Sequence, residues 1–117
     1  MVAIVNGIST HILDTSLGRP AANVPVTLDQ NVDGTWCQIS TQTTDADGRA
    51  KQLLPPQSGL AAGTYRIVFD TGSYFEAQKL QGLYPKVEIT FLVRDPAAHY
   101  HIPLLLTANG YSTYRGS

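Results

Sequence analysis

The side chains of this 117-residue sequence with the most chemistry to offer are three histidines, His11, His99 and His101, an arginine behind an Asp-Gly pair, Arg49, and a single cysteine, Cys37. An imidazole has an unperturbed pKa of about 6.5, so it can take and return a proton near neutral pH. Arg49 carries a planar fork of donors suited to carbonyl oxygens or to an anionic ring. Spacing alone also allows plainer roles: a strand histidine commonly packs, and an arginine after a turn is commonly an exposed charge. His99 and His101 lie two apart and would share a strand face, which permits joint metal coordination with His11. Catalytic zinc usually adds a carboxylate or a further histidine with outer partners, and no HExxH-type pattern is present, so no metal ligands are assigned. Cys37 has no partner for a disulfide or a CxxC and reads as a small buried hydrophobe. The sequence has no glycine-rich phosphate loop, and the presence of Ser, His and Asp does not by itself make a triad.

These residues must be held by strands. Turn chemistry recurs at Leu17-Gly18-Arg19-Pro20, Asn31-Val32-Asp33-Gly34, Asp45-Ala46-Asp47-Gly48, Pro55–Gly63, Gly82–Pro85, Asp95-Pro96 and Asn109-Gly110. Between the turns lie segments that alternate with period two, such as Val24/Val26/Leu28, Tyr65/Ile67/Phe69, Val87/Ile89/Phe91/Val93 and Tyr100/Ile102/Leu104/Leu106. Seven or eight such strands read as an all-β sandwich. Only Gly72–Leu80 resembles a helix, of two turns at most, with Tyr74, Phe75, Ala77 and Gln78 on one face. Strand parity then sorts the candidates. Ser9, His11 and Leu13 share one face of their strand, and His101, Pro103 and Leu105 share one face of theirs. Near the chain end Ser112 and Tyr114 point one way, and Tyr111, Thr113 and Arg115 the other. If these strands are neighbours, one sheet carries a semi-apolar floor holding His11, His101, Ser112 and Tyr114. Arg115 is expected on the opposite face, paired with a carboxylate. Leucines beside histidines suit a concave or subunit-covered surface better than open solvent.

Composition bounds the partners. Eight Lys+Arg against nine Asp+Glu, with no basic cluster, argue against nucleic acid or an anionic membrane as the main partner. Charged residues make up only 15% of the chain against about 25% in typical soluble domains, which points to surface covered in an oligomer. The longest apolar run, Met1–Val5, is far short of the ~20 residues that span a bilayer. The reading is one domain over residues 1–117, expected in the cytoplasm, or in the periplasm or peroxisome if a targeting segment has been removed.

Two stretches carry a family likeness. The opening Ser9-Thr10-His11-Ile12-Leu13-Asp14-Thr15 runs on into Gly18-Arg19-Pro20-Ala21 and Val24-Pro25-Val26. The ending combines His99-Tyr100-His101-Ile102-Pro103-Leu104-Leu105-Leu106 with Gly110-Tyr111-Ser112-Thr113-Tyr114-Arg115-Gly116-Ser117. Together they resemble the purine-degrading, 5-hydroxyisourate-hydrolysing branch of the transthyretin-like family, whose hydrolases are set apart by the C-terminal Tyr114-Arg115-Gly116-Ser117 pattern. One departure is Thr107-Ala108-Asn109, where the family often has Ser-Pro-aromatic. The resemblance implies an eight-stranded β-sandwich with one short helix. It implies strands paired edge to edge as dimers, then face to face as a homotetramer with active sites in the channel between dimers. It implies cofactor-free opening of the cyclic amide of 5-hydroxyisourate to 2-oxo-4-hydroxy-4-carboxy-5-ureidoimidazoline. His101 would activate water, His11 would orient water or substrate, and Arg49 would polarise the carbonyl. Ser112, Tyr114 and Ser117 would join His11 and Arg49 in binding substrate. His99 is left without a role, because the motif singles out His101. The alternative is a non-enzymatic carrier that takes a small aromatic ligand in the same channel.

Overall fold

A computed structural model of the chain describes residues 7–55 and 57–116; Ser117 and the Met1–Val5 run lie outside the described residues. Two sheets form. One has the order β2(Arg19–Pro20)-β1(Gly7–Asp14)-β8(His99–Thr107)-β9(Gly110–Thr113), with β5(Arg49–Ala50) also paired to β1. The other runs β4(Thr35–Thr43)-β3(Pro25–Val32)-β6(Gly63–Phe69)-β7(Val87–Val93). Among the described residues seven strands have four residues or more and two, β2 and β5, are two-residue pairings, so the expected two-sheet sandwich forms from nine strand elements in place of eight.

The alternation explains the layering. Ile8 and Ile12 of β1 and Tyr100, Ile102, Leu104 and Leu106 of β8 face Val26, Leu28, Tyr65, Ile67, Phe69 and Val87 of the other sheet in one buried cluster. Each such side chain contributes about 1.5–3 kcal/mol on burial. That inward demand forces the intervening residues of β1 and β8 outward, because adjacent strand residues take opposite faces. The two strands are parallel and in register, with Ser9 opposite His101, His11 opposite Pro103 and Leu13 opposite Leu105.

The helix, α1, spans Thr71–Ala77 and buries Thr71, Tyr74 and Phe75. Asp70 caps its start by accepting from the Ser73 amide. It stops short of the expected Leu80 because Lys79 turns left-handed at φ 59°. The amides of Lys79 and Leu80 then bond back to the carbonyls of Glu76 and Phe75, which is a Schellman ending. Ala77, expected on the buried face, is therefore exposed in the last turn. Cys37 is also a correction: it is exposed, not buried. It sits on β4, an edge strand whose pairing with β3 shifts register between Leu28 and Asp29, so little of β4 is covered. No helix among the described residues is long and apolar enough to cross a membrane.

Candidate active site

Arg49 reaches the sheet through a tightly specified turn. The Asp45 Oδ1 accepts from the amides of Asp47 and Arg49, at 2.9 Å each, and the Asp45 amide bonds to the Arg49 carbonyl. Those amide bonds, chiefly the one from Arg49, hold the Asp45 carboxyl below its ordinary range, with Lys51 and Arg49 acting in the same direction. Gly48 completes the turn at φ 76°, and its carbonyl accepts from the Ile12 amide. A Cβ there would stand 2.5 Å from the Ile12 carbonyl oxygen, so only glycine lets β5 close on β1. The result is the pairing of Arg49 opposite His11.

On the other side of β1, Ser9 is buried and bridges two imidazoles. Its Oγ lies 2.8 Å from His99 Nε2 and 2.8 Å from His101 Nδ1. The chain end closes over His101 as well. The Gly116 amide donates to the His101 carbonyl at 2.8 Å, and a Cβ on Gly116 would come within 2.5 Å of the ring's Cδ2. His101 is thus half-buried, and desolvation pulls its pKa below the ordinary 6.5, with the Coulombic influence of Arg49, His11 and His99 acting in the same direction. A cleft of about 500 Å³ opens in front of these groups, lined by Ser9, Thr10, Arg49, Lys51, His99 and His101.

The structure therefore brings Arg49 and His101 into one cleft, with His11 beside them on β1. Ser112 stands opposite Leu105 on β9, and Tyr114 follows just beyond that strand; both are exposed and neither lines the cleft within one protomer. Arg115 does point to the opposite face, as parity requires. Its guanidinium stacks on the Tyr100 ring at 4.3 Å instead of pairing with a carboxylate, because Tyr100 fills the inner face at that place. Ser9, Lys51 and His99 were passed over as site residues. Each shares strand parity with an assigned one, Ser9 with His11, Lys51 with Arg49 and His99 with His101, and that was the available signal. No group of three or more His, Cys, Asp or Glu among the described residues is placed to hold a metal ion.

A sandwich of this topology, with a basic and imidazole-rich cleft on the outer face of one sheet, defines a transthyretin-like protein with a polar site. The chain belongs to the HIUase/Transthyretin family, whose family model matches residues 8–116. It is 48% identical over 112 residues to the 5-hydroxyisourate hydrolase of Salmonella typhimurium, covering 96% of this chain and 82% of that one. Among solved structures it is similar to Klebsiella pneumoniae 5-hydroxyisourate hydrolase, with a TM-score of 0.84 and 34% identity over 97% of this chain and 100% of that one. Sea bream transthyretin in complex with thyroxine is as similar in shape, with a TM-score of 0.85 and 35% identity over 93% of each chain.

Proposed function

We propose that this chain opens the cyclic amide of 5-hydroxyisourate by histidine-assisted attack of water. The observation that carries the reading is the environment of His101. It is half-buried and lowered in pKa, chiefly by desolvation with Arg49, His11 and His99 acting in the same direction, so its neutral form, able to accept a proton, is favoured. A positioned base of this kind contributes about 10²–10⁴-fold. His101 takes a proton from water as the water oxygen bonds to the amide carbon. The guanidinium of Arg49 donates to the oxygen on which negative charge develops, and His11 orients the water or the ring. When the C–N bond breaks, the proton held by His101 passes to the leaving nitrogen, and the product carries a carboxylate. No cofactor enters.

The half-buried Leu13 and Leu105 and the exposed Ser112 and Tyr114 continue the floor beyond the cleft. A second pair of subunits packed face to face would cover them, giving a homotetramer in which Ser112, Tyr114 and Ser117 complete substrate binding. The sparse charge of the sequence supports this assembly, the absence of a basic cluster supports a setting free of nucleic acid, and the cytoplasm is the proposed compartment. The similarity to hydrolases, together with two imidazoles and a guanidinium facing the cleft, favours hydrolysis over carriage of an aromatic ligand.

The test generates 5-hydroxyisourate with urate oxidase and follows its ultraviolet decay against the uncatalysed baseline. The intact protein accelerates the decay, while His101→Asn and Arg49→Ala each lower turnover by about 10²-fold or more and remain folded. Decay at the baseline rate, with binding of the compound intact, would support the carrier instead.

A further inference from the structure

Ser9 has one hydroxyl proton and two imidazole neighbours at 2.8 Å. It can donate to only one of them, so it must accept from the other. The two rings are therefore locked in opposite roles: if His101 donates from Nδ1, then His99 accepts at Nε2, and if His99 donates, His101 accepts. Only the first arrangement leaves His101 with an unprotonated Nε2. That nitrogen forms no hydrogen bond among the described residues, and its ring lines the cleft.

We infer that Ser9 and His99 are positioning residues that hold His101 in its Nδ1–H tautomer, so that the Nε2 lone pair is presented to the cleft. The inference deepens the proposed function and rests on His101 serving there as the base. The chain of donors runs from His101 Nδ1–H to Ser9 Oγ, and from Ser9 O–H to His99 Nε2. When His101 takes the proton of water at Nε2, its Nδ1–H bond to Ser9 steadies the imidazolium, and no proton need leave the ring before it is returned to the leaving nitrogen.

The backbone is built for this arrangement. Ser9 and His101 face each other in the parallel register of β1 and β8, and His99 is opposite Gly7, one alternation earlier on the same face. Ser9 is buried, with its hydroxyl held between the two rings at the wall of the cleft, whereas His99 is exposed. The charged groups around the pair are Arg49 and Lys51 from β5 and the residue just after it, and His11 from β1. None of them supplies an acceptor that could hold His101 Nδ1–H in place of Ser9, and the Oδ1 of Asp45 is taken by the amides of its own turn.

The test combines imidazole 15N spectra of the intact protein with steady-state kinetics of Ser9→Ala, Ser9→Thr and His99→Gln, assayed on 5-hydroxyisourate. The spectra are expected to show His101 protonated at Nδ1 and bare at Nε2. Ser9→Ala should release His101 toward the Nε2–H form that histidine prefers in water and lower kcat by at least roughly 10-fold with KM little changed. Ser9→Thr keeps the hydroxyl and restores both signatures, and His99→Gln, whose side-chain oxygen still accepts from Ser9, retains the His101 tautomer. A His101 found as Nε2–H in the intact protein overturns the inference, as does a Ser9→Ala variant with unchanged kcat alongside an inactive His101→Asn. An active His101→Asn overturns instead the reading of His101 as base.

Discussion

Replacing Gly116 by alanine puts a methyl carbon 2.5 Å from Cδ2 of His101. Carbon atoms in contact sit about 3.5–4.0 Å apart, so something must give by about 1–1.5 Å. If the tail lifts, it stretches the 2.8 Å bond from the Gly116 amide to the His101 carbonyl. If the ring turns, it leaves Ser9. Loss of one such hydrogen bond costs about 0.5–1.5 kcal/mol, so the sandwich should stay folded and melt only slightly earlier. A reacting group displaced by about 1 Å, by contrast, lowers turnover by on the order of 10²-fold. The assay is the ultraviolet decay of freshly generated 5-hydroxyisourate, run beside thermal unfolding of the same sample. Large loss of kcat with near-native melting is the expected result. A folded Gly116→Ala protein that turns over like the parent refutes the claim that the tail sets the position of the His101 ring.

Four further outcomes are expected. Because the pKa of folded His101 is depressed below 6.5, kcat/KM should rise with pH through that depressed value and level off above it. The same group adds stability that is complete above the unfolded pKa and is lost as pH falls through the folded one, since the unfolded chain takes up its proton first; urea titrations at stepped pH should show this, and His101→Asn should remove it. Leu105→Asp, on the half-buried floor opposite Ser112, should split the proposed tetramer into inactive dimers by light scattering, and a fully active monomer would contradict the proposed channel. Prolonged dialysis against a chelator should leave activity unchanged, whereas activity lost and then restored by zinc would revive a metal mechanism.

Much of this architecture was readable because period-two alternation is a strong constraint. It put His11 and His101 on outward faces, and it set Arg115 on the opposite side. Alternation does not say which strands lie side by side, so the parallel pairing of β1 with β8, and with it the contact of Ser9 with both His99 and His101, came only with the three-dimensional arrangement. The Arg49 turn was legible as Asp-Gly chemistry, yet its closeness to β1 depends on the approach of the Gly48 backbone to Ile12, a tertiary contact. Exposure of Cys37 escaped for a related reason: composition favours burial of cysteine, but placement on an edge strand overrides it. The family likeness named Arg49, His11 and His101, and it gave no reason to look at Ser9 or Lys51.

The parallel partnership of β1 and β8 also bears on how the molecule comes into being. Ser9 and His101 are separated by 92 positions, so the cleft does not exist on a nascent chain until almost the whole sandwich has left the ribosome. Pairings this distant slow folding, because the loop between them must be closed before either strand gains from the contact. Synthesis proceeds at about 5–20 residues per second, so the β3–β6 half of the fold has seconds in which to settle first. Turnover is then a late reporter of maturation: in a time course of refolding or translation, activity should lag the burial of Tyr65, and the length of the lag measures the docking of the first long strand against the penultimate one.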